Sequence, residues 1–78
     1  MKSLEEFVAL FAEQFDETKP EVFSGDKHFR EVDEWSSLIA LSVIAMVDEE
    51  FEVALKADDM KSATTIGDLY KIVEEKLA

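Results

Sequence analysis

The chain of 78 residues and 8.9 kDa sets eight Lys and Arg against nineteen Asp and Glu, for a formal net charge of -11 and a pI near 4.3. Such a chain is repelled by nucleic acid and by anionic membranes, so basic protein surfaces are the expected partners. With no cysteine and one histidine it has no disulfide framework, no thiolate nucleophile, no cysteine zinc site and no histidine-rich metal centre.

Apolar residues make up 47% of the chain, enough for one core in a single domain over residues 1–78, but the length leaves little room for a conventional active-site cleft. Residues 1–10 lack a cationic segment followed by an apolar stretch and a small-residue cleavage site, so no secretory signal is visible and the cytoplasm is the expected location. The longest apolar stretch, 38–47, is broken only by Ser42 and is about half of the ~20 residues that a membrane span needs. It reads as a buried helix.

Ser3 and Glu6 have the spacing of a capping box, which predicts a first helix. Leu4, Phe7, Val8, Phe11 and Phe15 then fall on one helical stripe facing the core. Pro20, Ser24 and Gly25 break any helical period over 16–36, a long loop with Val22, Phe23, Phe29, Val32 and Trp35 as candidate anchors and one turn expected near Val22. Ser36 or Ser37 can cap a central helix over 38–51, apolar nearly all round at first and acidic at its end through Asp48, Glu49, Glu50 and Glu52. Residues 53–55 suit a strand by composition but have no second strand to pair with, and read as loop. One or two turns follow over 58–62, with Met60 pointing inward. Thr65 and Asp68 echo the capping box, and Ile66, Leu69, Tyr70, Val73 and Leu77 repeat the first helix's spacing. The expected fold is all-α: a small four-helix bundle with a long first loop and a short third helix.

Ser37 and His28 are the one conceivable nucleophile and base, but no nucleophile-elbow glycines accompany them. An EF-hand register from Asp16 fails, because its sixth position is Glu21 and its twelfth is Lys27. His28 alone reads as a surface or loop-packing residue, and no metal site is expected.

One constellation stands out: Trp35-Ser36-Ser37-Leu38 opening a long helix, Asp48-Glu49-Glu50-Phe51 closing it, and Thr64-Thr65-Ile66 opening the last one. It resembles the acyl carrier protein family, in which an Asp-Ser-Leu triplet, a Glu-Glu-x-Phe type ending and a Thr-Thr-hydrophobic step hold these places. The match runs without gaps from residue 29 to about 70. The resemblance implies that Ser37 carries a 4'-phosphopantetheine arm, added from coenzyme A by a phosphopantetheinyl transferase. It also implies a non-catalytic carrier of acyl thioesters, acted on by acyl-loading, ketosynthase-type and acyl-transfer enzymes with basic docking patches, in fatty-acid-like, polyketide-like or related biosynthesis. Aminoacyl cargo is equally compatible. A monomer is expected.

A phosphodiester at a helix N-terminus meets the positive end of the helix dipole and unpaired amides, which gives the placement physical sense. The chain departs from the family in having Ser36 where an aspartate is usual. It also has Ile39, Ser42 and Met46 where polar groups commonly face outward on the second helix. Those three, with Asp48 and Glu49, are the expected partner-docking residues. The alternative from another class is an acidic helical adaptor without a prosthetic group, binding a basic partner through Glu49, Glu50 and nearby apolar residues.

Overall fold

The computed structural model describes residues 2–77. Four helices run in the order α1 (Leu4–Ala12), α2 (Ser37–Phe51), α3 (Ala57–Ser62) and α4 (Ile66–Leu77), with 3-10 turns at Pro20–Val22 and Phe29–Glu31 between the first two. Among the described residues there is no strand, only an isolated antiparallel bridge between His28 and Thr65. No described helix is long and apolar enough to cross a membrane. The all-α bundle with a long first loop and a short third helix is therefore the observed architecture.

The three longer helices start where a side chain satisfies a free amide. At α1, Ser3 Oγ accepts from Glu6 N (3.2 Å) while Glu6 Oε1 accepts from Ser3 N (3.4 Å), closing the capping box. Thr65 and Asp68 do the same for α4, at 3.1 and 3.0 Å, and Asp68 also accepts from Thr64 N. The first turn of α4 is tied to the loop as well: Ile66 N donates to Lys27 O, and Gly67 N to Gly25 O at 2.8 Å. That approach explains the glycine, because a Cβ on residue 67 would stand 3.0 Å from the Gly25 oxygen.

The core is built on aromatics, with all six phenylalanines buried. Phe11 sits at their centre, its ring 5.6–6.4 Å from those of Phe7, Phe15, Phe23, Phe29 and Trp35. From the other side Val43, Met46, Val47 and Phe51 of α2 and Ile66, Leu69 and Val73 of α4 close the interior. The stripe on α1 outlasts its helix: α1 stops at Ala12, and Phe15 reaches the core from a tight turn in which Phe15 N donates to Ala12 O. Leu4 and Leu77, at the outer ends of their stripes, are exposed, as is Val22. Val22 therefore does not anchor the loop; the 3-10 turn at Pro20 points it outward and seats Phe23 instead.

After α2, Glu52 adopts a left-handed conformation (φ 57°) that turns the chain. Residues 53–56 are neither helix nor strand and bury Val53 and Leu55 alternately, with the backbone extended at Lys56.

The long loop has its own polar lock. The Glu34 carboxylate accepts from the amides of Asp16, Glu17 and Thr18 at 2.7, 3.1 and 2.9 Å, and from the Thr18 hydroxyl at 2.8 Å. Desolvation pushes its pKa upward, but these donors together outweigh that and hold the carboxyl below its ordinary value. A carboxyl whose pKa is lowered by folding contributes stability above its unfolded pKa and loses that contribution as pH falls through the lowered folded value. Glu34→Ala should therefore lower the melting temperature near neutral pH, with a difference from the parent chain that shrinks in acid. Thermal melts across the acidic range check this, and a pH-independent difference would contradict it.

Candidate functional site

The central helix opens with two serines in different roles. Ser36 is the N-cap, with extended backbone (φ -155°, ψ 172°) and its Oγ accepting from Ile39 N at 3.3 Å. Ser37 is the first helical residue, exposed, and its hydroxyl enters no hydrogen bond among the described residues. The first intrahelical bond runs from Ala40 N to Ser36 O (3.0 Å), so the amides of Ser37 and Leu38 lie in the turn that helix bonding leaves open. Ser37 thus stands at the positive end of a 15-residue helix with a free hydroxyl. The sequence left the cap undecided between the two; the geometry gives it to Ser36.

Beside Ser37 lies an open cleft of about 530 Å³. Ser37, Ala40, Leu41 and Ile44 of α2 form one wall, Ala57, Met60 and Lys61 of α3 the other, and Trp35 lines it from the loop. Its volume falls within the ~300–1,000 Å³ typical of small-molecule sites, and its lining is mostly apolar. Arg30 and Lys61 are the charged residues at its edge.

His28 does not serve Ser37 as a base. Its Nδ1 faces Glu31 Oε2 at 3.6 Å, its backbone bridges to Thr65, and it makes no hydrogen bond to Ser37. His28 is a loop residue at the α4 end of the molecule.

The outward face of α2 differs from the sequence expectation. Leu38 and Leu41, 72% and 63% exposed, point to solvent, whereas Ile39 and Ser42 are half-buried and Met46 is buried at 6%. The cause is helical geometry: Met46 lies three residues beyond Val43, about 60° around the axis, and next to Val47, both fully buried. Met46 is thus a core residue rather than an exposed docking contact. Asp48 and Glu49 are exposed but stand about three turns, roughly 16 Å, along the axis from Ser37. The surface next to Ser37 is therefore apolar, flanked by two cations, with the acids at the far end of the helix.

Leu38, Leu41 and Arg30 carry no signal of their role in the sequence. The leucines are lost in an apolar run with no clear polar face, and the Arg30 contacts span 30 and more residues, beyond any local pattern.

A family model described as a phosphopantetheine attachment site matches residues 5–73. No curated protein and no solved structure matches the chain. The matched span takes in every buried core residue, both serines and the whole cleft. Domains of this family hold 4'-phosphopantetheine covalently and work with a phosphopantetheinyl transferase and with biosynthetic enzymes. The chain belongs to the phosphopantetheine-binding carrier family.

Proposed function

We propose that the chain is a non-catalytic acyl carrier whose arm is esterified to Ser37 and whose partners dock on the outward stripe of α2. The observation that carries this reading is the division of labour at the helix start. Both serines line the cleft, but Ser36 Oγ accepts the cap bond from Ile39 N, whereas Ser37 Oγ enters no hydrogen bond among the described residues. The residues fit the group: Ser37 Oγ would supply the ester oxygen, and the open amides of the first turn would stabilise the phosphodiester charge. When bound, the arm supplies a terminal thiol that holds cargo as a thioester, which a chain without cysteine cannot do itself. Ala40, Leu41, Ile44, Trp35 and Met60 offer apolar cargo a water-poor surface. Tethering raises the local cargo concentration at any enzyme docked beside Ser37. Fatty-acid-like or polyketide-like biosynthesis fits an apolar cleft best, and the cytoplasm, where such enzymes and coenzyme A meet, is the proposed location.

Docking follows from the exposed side chains. Leu38 and Leu41 flank Ser37 as an apolar contact, and Asp48 and Glu49 guide encounter with a basic patch from farther along α2. Leu41→Gln, which removes the apolar contact without adding charge, should slow acyl loading about tenfold, equivalent to ~1.4 kcal/mol, with the salt dependence kept. Asp48→Lys with Glu49→Lys should instead flatten the salt dependence, because exposed charges are screened over roughly 8 to 10 Å at physiological ionic strength. Transferase and acyl-loading kinetics at several salt concentrations, with fatty acyl, malonyl-type and aminoacyl loading enzymes in parallel, test both the surface and the pathway. Unchanged rates for both variants would remove α2 as the docking face. Loading by the aminoacyl enzyme alone would overturn the fatty-acid-like or polyketide-like reading.

A further inference from the structure

The cleft has one wall that packing alone does not secure. α3 is six residues long, too short to be stable in isolation, and supplies Ala57, Met60 and Lys61 to that wall. Its inward anchor is Met60, and its start is closed by Asp59 accepting from Lys56 N at 2.9 Å. Lys76 of α4 holds Asp59 from behind at 3.4 Å. On the cleft side the tie comes from the long loop. Arg30 Nη1 donates to Met60 O at 2.7 Å and Arg30 Nη2 donates to Ala63 O. These carbonyls belong to the C-terminal end of α3, which lacks intrahelical donors and favours a cation. The guanidinium also lies 5.0 Å from the centroid of the Phe29 ring, and Phe29 is fully buried, so the fork is anchored in the core at its own base. Arg30 thus links a core aromatic, the loop ahead of Ser37 and the far wall of the cleft.

We infer that Arg30 is a positioning residue that sets the width of the cleft, and so decides how well this carrier shields apolar cargo. The inference rests on the carrier reading above and adds a specificity determinant to it. A planar fork can hold two carbonyls at a fixed separation, whereas an ammonium acts as a point charge and does not impose that geometry. Without the fork, α3 is free to move about Met60 and the Lys76 contact, and the wall opposite Ala40 and Ile44 is no longer fixed. Cargo long enough to enter the cleft depends on the wall; an acetyl group does not.

The test compares the holo forms of the parent chain, Arg30→Lys and Arg30→Met, each loaded with acetyl or octanoyl groups. The rate at which hydroxylamine cleaves the thioester is the readout. In the parent chain octanoyl should be cleaved at least about fivefold more slowly than acetyl, as expected for a bond exposed only on local opening. Arg30→Met should bring the two rates together by raising the octanoyl rate alone, with Arg30→Lys between. A general loss of structure would raise both rates, so an unchanged acetyl rate separates positioning from destabilisation. If Arg30→Met fails to fold, as judged by circular dichroism, Arg30→Lys carries the comparison. An octanoyl-to-acetyl ratio equal to that of the parent chain in the folded variants would overturn the inference while leaving the carrier reading intact. Intact mass before loading reports on that reading separately: a parent chain that gains no phosphopantetheine would overturn both.

Discussion

Phe11→Ala should cost about 3 to 5 kcal/mol of folding stability, the range for truncating a buried phenylalanine. Phe11 is fully buried and lies against five other aromatic rings contributed by α1, the long loop and the residues just before α2. Its loss would leave a cavity with several rigid walls, which limits the collapse that otherwise softens such changes. Leu69→Ala, also fully buried but on α4, should cost about 2 to 5 kcal/mol. Small domains are stable by only about 5 to 15 kcal/mol, so either change removes a large share of the total. Leu38→Ala supplies the contrast, because a residue 72% exposed should change stability by less than about 0.5 kcal/mol. Urea denaturation of the three variants checks the ranking. A loss below about 1 kcal/mol for Phe11→Ala would mean that α1 does not pack as described.

The importance of Phe11 was legible in the chain itself, because Phe7 and Phe11 recur at helical spacing behind a capping box. The same holds for α4, whose Thr65–Asp68 box and inward Ile66, Leu69 and Val73 are read directly from local pattern. The outward side of α2 was not legible. Residues 38–47 are apolar on every side, so periodicity gives no direction, and only packing shows that Met46 faces in while Leu38 and Leu41 face out. The early end of α1 was hidden for a related reason: Phe15 continues the stripe in sequence but reaches the core from a turn.

At the site, the three spaced signatures pointed to the helix start that the fold shows, and they lie within the family match over residues 5–73. The cleft was not visible, because its two walls come from α2 and a six-residue helix that meet only in the folded chain. Glu34 and Arg30 were invisible for the same cause. Each holds backbone groups 16 to 33 residues away, a separation that carries no periodic signal.

Ser37→Ala should abolish phosphopantetheine attachment altogether, the largest functional effect expected of any single substitution in this chain. Both hydroxyls are exposed, but Ser37 Oγ enters no hydrogen bond among the described residues, whereas Ser36 Oγ accepts from Ile39 N and would have to give up that cap bond to be modified. Ser36→Ala should cost about 0.5 to 2 kcal/mol through loss of the cap and still permit modification, since it leaves the Ser37 oxygen in place.

The most direct measurement is intact mass, followed by peptide mapping, after incubation of the parent chain, Ser36→Ala and Ser37→Ala with coenzyme A and a broad-specificity transferase. All three are first shown to be folded. One phosphopantetheine group on the parent chain and on Ser36→Ala, mapped to Ser37, with none on Ser37→Ala, is the expected result. A group mapped to Ser36, or a modified Ser37→Ala chain, would contradict the assignment of Ser37 as the attachment residue.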